Sequence, residues 1–248
     1  MIESPIFEIF YGLPRQGPGS NKCTEKAFSM LSPLPADVKI LDIGCGAGMQ
    51  TIHLAKICGN CHITAVDVYQ PYLDSLMEKA VAEGVADRIS TVCTSMEDLP
   101  FGANEFDIIW SEGAIFVMGF EKGLDYWKHF LKEGGFMALT EAAWFTESPS
   151  EEVFQFWNEC YPDIATIPQN ENRIEAAGYT IIDQFKVPAS AWWDDYYVPL
   201  EKRLDSIEDK FKGNTEAESI IEFSRKEIEL FRQYSNEYGY VFFVFQKE

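Results

Sequence analysis

The stretch ILDIGCGAG, residues Ile40 to Gly48, places Asp42 and three glycines directly after an apolar run. A glycine-rich turn after a strand lets backbone N–H groups approach a ligand closely, and dinucleotides and other adenosine-containing cofactors both use this geometry. In a dinucleotide-binding G-x-G-x-x-G turn the third glycine lies three positions after the second, whereas Gly44, Gly46 and Gly48 are each two apart. The loop therefore predicts a cofactor site, and its spacing fits a dinucleotide poorly.

A second acidic residue, Asp67, ends the next predicted strand, His62 to Val66. A carboxylate at this position can accept hydrogen bonds from both hydroxyls of a ribose. Dinucleotide-binding folds use an acid here as well. Asp67 therefore supports a nucleoside-containing ligand without deciding its class.

The elements that must position these residues alternate between strand-like and helix-like patterns. Apolar runs predict strands at Val38–Ile43, His62–Val66, Arg88–Cys93, Phe106–Trp110, Phe136–Glu141, Tyr179–Val187 and Tyr240–Phe245. Helical stretches are predicted at Met49–Cys58, Tyr69–Ala82, Gly123–Leu131, Glu151–Cys160 and Asn170–Ala177, with a turn at Lys132–Gly135. The alternation predicts an α/β fold, a parallel sheet covered by helices on both faces.

Composition sets limits on the class of protein. The 248 residues are 46% hydrophobic, enough for one substantial core, and their formal net charge is -20. Such acidity repels polyanions, so nucleic acid is not expected as a partner; it favours solubility, or attraction of a cationic substrate. No basic leader precedes an apolar stretch, and no apolar run reaches about 18 residues, which predicts a cytoplasmic protein without membrane insertion.

Cysteines and histidines give no sign of a metal site. Of the six cysteines, Cys58 and Cys61 alone have ligand-like spacing, and no second pair completes a set of four ligands. We therefore expect no bound metal and reduced cysteines, as in a cytosolic protein. The three histidines, His53, His62 and His129, are expected to be structural or exposed.

The order of several motifs resembles the class I S-adenosylmethionine-dependent methyltransferases, in their small-molecule subgroup. The matching segments are Leu41–Gly48, Ala65–Asp67, Glu97–Phe101, Phe106–Ile109 and Leu131–Gly135, over roughly half the chain. The resemblance implies a Rossmann-like, mostly parallel seven-stranded sheet with an antiparallel last strand, and S-adenosyl-L-methionine as cofactor. It places the glycine loop under the methionine part of the cofactor and Asp67 at the ribose.

Further cofactor residues follow from the same resemblance. Ser95 and Met96 are expected beside the adenine, although many relatives have an acid where this chain has Ser95. The segment Tyr11–Ser20 looks similar to a lid that precedes the core, in which Arg15 pairs with the cofactor carboxylate. The full set of expected cofactor-binding residues is Arg15, Gln16, Gly17, Asp42, Gly44, Cys45, Gly46, Asp67, Val68, Ser95, Met96, Ser111 and Glu112.

The acceptor side is expected from aromatic and acidic residues. Glu112, after the fourth strand, is the candidate base, with orientation of cofactor or lid as its other possible role. The stretch Ala191–Tyr197 combines aromatic rings with carboxylates, as a pocket for an amine would, or else anchors an insertion onto the sheet. The residues expected to bind the acceptor are Tyr11, Trp144, Trp193 and Tyr197.

These patterns predict an N-terminal lid at 1–35, a cofactor-binding core at 36–190 and 238–248, and a helical cap inserted at 191–237. The expected activity is N- or O-methylation of a small molecule, with an amine slightly favoured. Methylation of a thiol or metalloid, or non-catalytic binding of an adenosyl or dinucleotide ligand, are the alternatives. The oligomeric state is open, a homodimer included.

Overall fold

A computed structural model describes residues 4–248, in which one sheet carries the fold. Seven strands lie in the order β3-β2-β1-β4-β5-β8-β7, and the two-residue strand β6 pairs with β5. Their bounds are β1 Val38–Ile43, β2 Cys61–Asp67, β3 Ile89–Cys93, β4 Phe106–Ser111, β5 Leu131–Trp144, β6 Ala165–Thr166, β7 Tyr179–Lys186 and β8 Tyr238–Lys247. β8 is antiparallel to both β5 and β7, and the other pairs are parallel. The predicted fold class and the antiparallel last strand are confirmed.

Helices connect these strands and continue at both ends of the chain. They are α1 Pro5–Phe10, α2 Asn21–Phe28, α3 Met49–Ile57, α4 Gln70–Ala82, α5 Phe120–Lys128, α6 Glu151–Cys160, α7 Ile167–Ala176, α8 Ala189–Trp192, α9 Val198–Ile207 and α10 Thr215–Tyr234. A π-helical segment, Trp193–Tyr197, joins α8 to α9. Three short 3-10 helices lie at Ala86–Arg88, Ile115–Val117 and Glu208–Phe211.

Two predicted boundaries are wrong around β5. The turn expected at Lys132–Gly135 lies inside this strand, which already pairs Leu131 with Phe106 before the register shifts. Gly134 adopts a positive φ of 70°, so the glycine pair bends the strand without ending it. Helix α5 begins at Phe120, three residues earlier than predicted, because Gly119 has a φ of 91° that ends the preceding turn.

The sheet is buried on both faces, as a parallel sheet between helices requires. Successive residues of β8 alternate between two separate apolar clusters: Phe242 and Val244 belong to one, Phe243 and Phe245 to the other. All four are completely buried. The central strands are therefore held rigidly, and their carboxyl ends have fixed positions.

The helical segment between β7 and β8 packs on the core through aromatic rings. Trp192 is 1% exposed, stacks on Phe231 at 4.3 Å between ring centroids, and contacts Tyr240 at 4.9 Å. Helix α1 packs against α9 and α10, where Arg203 donates hydrogen bonds to the carbonyls of Glu8 and Ile9 at 2.9 and 3.2 Å. The predicted lid and cap are thus in direct contact with each other; residues 1–3 of the predicted lid lie outside the described part.

Two of the cysteines are bonded to each other. Cys58 and Cys61 form a disulfide, so the expectation of reduced cysteines is wrong at this pair. Within residues 4–248, no group of three or more His, Cys, Asp and Glu side chains is placed to hold a metal ion. No helix in the same range is both long enough and apolar enough to span a bilayer.

Candidate active site

The carboxyl ends of β1, β2 and β4 open into a cavity of about 980 Å³. Gly44, Gly46, Asp67 and Glu112 all line it, which places the residues after three neighbouring strands around one space. Ligands of open α/β sheets bind at this edge, and sites for small molecules range from about 300 to 1,000 Å³. The volume is therefore sufficient for a cofactor together with a second small molecule.

The glycine loop requires its glycines for two physical reasons. Gly44, Gly46 and Gly48 have φ values of 72°, 54° and 81°, in the region that residues with a Cβ rarely adopt. A Cβ at Gly44 would lie 2.4 Å from the Cβ of Ala114, and one at Gly48 would lie 2.3 Å from Leu76 Cγ. The loop is consequently packed against its neighbours and exposes backbone to the cavity.

Asp67 fixes the glycine loop from the end of β2. Its Oδ2 accepts a hydrogen bond from the Gly46 N–H at 2.9 Å, and its Oδ1 accepts one from the Tyr69 N–H at 3.0 Å. Burial raises the pKa of Asp67, and the N–H donors of Tyr69 and Gly46 oppose that shift. Its carboxylate therefore lies at the cavity wall with its orientation set by the backbone.

Gln16 connects the N-terminal segment to the same loop. Its Oε1 accepts from the Ala47 N–H at 2.7 Å, and its Nε2 donates to the Leu13 carbonyl at 3.2 Å. Gln16 and Gly17 both line the cavity, as do Gly44, Cys45, Val68 and Met96 among the other residues expected at the cofactor. The Tyr11–Ser20 segment is thereby held next to the glycine loop.

Arg15 and Glu112 form a buried ion pair at the cavity wall. Arg15 Nη1 lies 2.9 Å from Glu112 Oε2, with the two side chains 4% and 3% exposed. Glu112 Oε1 also accepts from Thr24 Oγ1 at 2.7 Å and from Trp110 Nε1 at 3.0 Å. Within residues 4–248 the buried Nε of Arg15 has no hydrogen-bond partner. These contacts hold the side chains of Arg15 and Glu112 together, and both expected roles of Glu112, as a base or in orienting cofactor or lid, stay predictions.

Three residues expected at the cofactor do not line this cavity. Asp42 is fully buried, its Oδ2 accepts from Thr51 Oγ1 at 2.5 Å, and burial raises its pKa to about 7. Ser111 Oγ donates to the Ile43 carbonyl at 3.0 Å, and Ser95 Oγ accepts from the Glu97 N–H at 3.2 Å. Asp42 and Ser111 bond within the packed core, and Ser95 bonds within the segment after β3. Direct contact of these three side chains with a cofactor stays a prediction.

The residues expected to bind the acceptor are also placed outside the cavity lining. Trp144 packs on Phe154 and Tyr238. Trp193 packs on Tyr197 and Phe231, and Arg232 lies over its ring. Tyr11 stacks on Tyr72 and is 43% exposed. Tyr197 is fully buried, and its hydroxyl donates a hydrogen bond to Glu227, which lines the cavity. Of the ring-bearing residues 192–197, Tyr196 lines the cavity.

Helix α10 contributes a wall that the sequence reasoning missed. Its cavity-lining residues recur at helical spacing and are Glu216, Ser219, Ile220, Phe223, Ser224 and Glu227. A signal for this wall is present in the sequence, because Glu227 falls four residues after Phe223 and seven after Ile220, on the apolar stripe of the helix. An acid at such a position is a departure from simple core packing.

Glu227 combines partial burial with a defined partner. Its Oε1 accepts a hydrogen bond from the Tyr197 hydroxyl at 2.7 Å. Burial raises the pKa of Glu227 to about 7, although the Tyr197 hydrogen bond opposes the shift. The carboxyl group therefore exchanges its proton near neutral pH at the wall of the cavity.

Comparison with known proteins gives a family for this arrangement. Residues 40–135, which include the glycine loop, Asp67 and Glu112, match the family described as methyltransferase domain. Over these residues the chain matches a methyltransferase domain, as its resemblance to the class I S-adenosylmethionine-dependent methyltransferases implies. The cofactor of this family is S-adenosyl-L-methionine, and the predicted family and cofactor are confirmed.

Individual methyltransferases resemble parts or all of the chain. It is 25% identical over 188 residues to phosphoethanolamine N-methyltransferase 1 of Triticum aestivum, covering 75% of this chain and 36% of that protein. It is 34% identical over 83 residues to a glycine/sarcosine/dimethylglycine N-methyltransferase of Actinopolyspora halophila, covering 34% of this chain and 14% of that one. The chain thus spans well under two thirds of the length of these curated relatives.

A solved methyltransferase covers nearly the whole fold. The S-adenosylmethionine-dependent methyltransferase of Geobacter sulfurreducens, solved with S-adenosyl-L-homocysteine, matches 98% of this chain and 97% of its own at a TM-score of 0.80. Sequence identity is 18%, so the likeness is one of fold. The likeness of fold therefore extends beyond residues 40–135 to nearly the whole chain.

Proposed function

We propose that the chain transfers a methyl group from S-adenosyl-L-methionine to nitrogen or oxygen of a small molecule, with an amine favoured. The observation that carries the proposal is the continuity of the cavity, which joins the glycine loop and Asp67 to the wall made by α10. Its volume of about 980 Å³ accommodates donor and acceptor side by side. A cavity of this shape can align a nucleophile with a methyl group, and such alignment supplies much of the rate.

The residues present fit the cofactor. Asp67 would hold the ribose hydroxyls, and the loop Gly44–Gly46 would pass under the methionine part. The unpartnered Nε of buried Arg15 is an N–H donor suited to the amino-acid carboxylate of the cofactor. Met96 would contact the adenine. When bound, S-adenosyl-L-methionine supplies an electrophilic methyl group on a sulfonium.

The chain's own residues would orient the reactants and exclude water. Glu112 keeps Arg15 in place through their ion pair, and Gln16 closes the N-terminal segment over the glycine loop. We assign residues 1–35 to a lid, 36–190 and 238–248 to the cofactor-binding core, and 191–237 to a cap. In this division the lid and cap enclose the reacting groups, which a displacement at carbon needs more than it needs a base.

The alternatives make different demands on the cavity. Methylation of a thiol or metalloid with help from a cysteine would use Cys45, which is the cysteine among residues 4–248 that lines the cavity. Burial raises the pKa of this thiol well above its usual value, so it stays protonated and unreactive near neutral pH. A non-catalytic adenosyl- or dinucleotide-binding protein would not need the acceptor wall of α10. Neither alternative is supported by a contact as specific as the pair of Glu227 and Tyr197.

The test is ligand-dependent stability followed by turnover. We expect S-adenosyl-L-methionine and S-adenosyl-L-homocysteine to raise Tm, and NAD to leave it unchanged. Formation of S-adenosyl-L-homocysteine should then depend on an added small-molecule acceptor. Stabilisation by NAD alone would contradict the cofactor assignment, and cofactor binding without turnover of any amine, alcohol or thiol would contradict the enzymatic one.

A further inference from the structure

The charges around the cavity are unevenly distributed. Among its lining residues within 4–248, the carboxylates are Asp67, Glu112, Glu216 and Glu227, and the one cation is Arg15. Arg15 is already paired with Glu112, and Asp67 lies at the glycine loop. The remaining wall, on α10, is therefore acidic and offers no cation to an anionic group of an acceptor.

Glu227 is the partly buried carboxylate of this wall, whereas Glu216 is exposed to solvent. The Oε1 of Glu227 is held by the Tyr197 hydroxyl, whereas its Oε2 has no hydrogen-bond partner and no salt bridge within residues 4–248. The fixed Oε1 orients the group, and the free Oε2 is available to a ligand in the cavity. A carboxylate that is partly desolvated and lacks a counter-ion favours a cationic partner.

Much of the lining of the cavity that contains Glu227 is apolar or aromatic. Within the described residues this lining includes Ile6, Phe10, Phe116, Val117, Tyr196 and Phe223. Four of them are exposed large hydrophobic residues: Ile6 and Phe223 at 42% and 41%, Phe116 at 41% and Val117 at 67%. Exposed apolar side chains that converge on one cavity mark a ligand site, so the ligand brings an apolar body.

We propose that Glu227 binds the amino group of the methyl acceptor, and that this acceptor is an amine with an apolar body and without phosphate or carboxylate groups. The inference rests on the proposed methyltransferase function and names its substrate class. The inference excludes phosphoethanolamine and sarcosine as acceptors for this chain, because their anionic groups would face an acidic wall. The ring of Tyr196 provides an additional surface for the ammonium group.

The same contact accounts for the proton that an amine must lose. An ammonium group transfers a proton to the Glu227 carboxylate, and the freed nitrogen lone pair forms the new bond to the methyl carbon as the carbon–sulfur bond breaks with its electrons on sulfur. The titratable groups facing Glu227 are Tyr196, Tyr197, Tyr238, Tyr240 and Cys160, all with pKa values raised chiefly by burial. They stay neutral near pH 7, so Glu227 is the group among them that can accept the proton.

The experiment measures binding of amines to the protein saturated with S-adenosyl-L-homocysteine. Hexylamine, decylamine and 2-phenylethylamine are titrated by calorimetry beside 1-hexanol, 1-decanol, 2-phenylethanol, phosphoethanolamine and sarcosine. We expect at least one apolar amine to bind about tenfold more tightly than its matched alcohol, and no binding of the two anionic amines. Turnover of the bound amine, followed as S-adenosyl-L-homocysteine formation from S-adenosyl-L-methionine, should show the same preference.

Glu227→Gln removes the charge and keeps the shape of the side chain. It should weaken binding of the amine about tenfold or more and raise KM correspondingly, while the dissociation constant of S-adenosyl-L-homocysteine changes less than about twofold. Glu222→Gln is the matched control, because Glu222 is an exposed acid on the same helix outside this cavity. Tyr197→Phe keeps the charge and loses the bond to Oε1, and should have an intermediate effect.

The outcomes separate the inference from the function on which it rests. Any one of four results overturns the inference. They are failure of every apolar amine to bind, equal binding of the matched alcohols, preference for phosphoethanolamine or sarcosine, and an unchanged amine affinity in Glu227→Gln. Failure of S-adenosyl-L-homocysteine to bind the wild-type protein overturns the proposed function itself.

Discussion

Arg15 and Glu112, 97 positions apart in the chain, meet in an ion pair of 2.9 Å whose side chains are almost completely buried. Thr24 and Trp110 complete the hydrogen bonding of the carboxylate. The pair thus joins the N-terminal segment to the end of β4 at the cofactor side of the cavity. Removing one member leaves the other charged and unpaired in an almost completely buried position.

Glu112→Gln should therefore destabilise the protein by about 3–5 kcal/mol and weaken S-adenosyl-L-homocysteine binding, because Arg15 loses its counter-ion and its orientation. Urea unfolding and calorimetry measure the two effects. Thr24→Val, which removes one hydrogen bond to Oε1 and keeps the ion pair, should cost about 1 kcal/mol. If Glu112→Gln lowers kcat with stability and cofactor affinity intact, Glu112 is a base and the orienting role is wrong.

Gly46→Val should abolish cofactor binding in a folded protein. The residue has a φ of 54°, and a Cβ there would lie 2.5 Å from Gln16 Oε1, so the variant strains the loop and displaces Gln16. Calorimetry with S-adenosyl-L-homocysteine and the circular dichroism spectrum report the two properties. Gly59→Val is the control, since no atom lies within 4 Å of a Cβ at Gly59 and its φ is not positive. Undiminished affinity in a folded Gly46→Val would refute the placement of the ligand.

Asp67→Ala should weaken S-adenosyl-L-homocysteine about ten- to a hundredfold, corresponding to charge-assisted hydrogen bonds of roughly 1.5–3 kcal/mol. Part of this loss comes from the loop, because Asp67 also accepts from the N–H groups of Gly46 and Tyr69. Asp67→Asn keeps one acceptor oxygen and should lose less. A change of less than about twofold in Asp67→Ala, measured by calorimetry, would mean that the ribose is held elsewhere.

Glu141 should make stability depend on pH. It is 2% exposed, its Oε1 accepts from the Tyr161 hydroxyl at 2.7 Å, and burial raises its pKa to about 8. A carboxyl group with a folded pKa above its unfolded value binds more protons when folded, so the free energy of unfolding falls as pH rises from about 4.5 to about 8. Glu141→Gln removes this loss and should be more stable than wild type by about 2 kcal/mol near pH 6 and by about 4–5 kcal/mol near pH 9.

Thermal unfolding across that range checks the prediction for Glu141. Tyr161→Phe keeps the carboxyl group but removes a hydrogen bond that opposes the rise of its pKa, so stability should fall with rising pH at least as steeply as in wild type. Curves of Tm against pH that run parallel for wild type and Glu141→Gln would show that Glu141 is ionised in the folded protein at all these values.

Trp192 should anchor the helical segment more strongly than Trp193. Trp192 is 1% exposed and stacks on Phe231, whereas Trp193 is partly exposed. Trp192→Ala should cost about 3–5 kcal/mol in urea unfolding, and Trp193→Ala clearly less. Equal losses would mean that the segment is held through the π-helical residues and not through α8.

The sequence predicts the sheet well because its strands are short apolar runs bounded by polar or glycine residues. Val38–Ile43 is predicted to the residue, and Asp67 is correctly expected at the end of its strand. Glu227 could not be identified in the same way. Its importance depends on the packing of α10 beside α1 and Tyr197, which are distant in the chain, and local periodicity does not report such contacts.

The aromatic stretch shows the opposite error. Trp193 and Tyr197 have the residue types of an amine pocket, yet their rings pack on Phe231 and each other. The π-helical turn instead places the ring of Tyr196 at the cavity. Tyr196 and Tyr197 are neighbours in the helix, yet the ring of Tyr196 lines the cavity and the ring of Tyr197 does not, because successive residues point in different directions.

The wall that α10 gives to the cavity comes from one uninterrupted stretch, residues 216–227, whereas the donor side is assembled from strand ends far apart in the chain. In the proposed function, substitutions confined to this stretch would change the acceptor that is methylated and leave the residues proposed to hold the donor unchanged. A gene library restricted to positions 219, 220, 223, 224 and 227 would sample acceptor chemistry directly. The proposed function therefore predicts that acceptor preference can change on an unchanged scaffold through substitutions in this one helix.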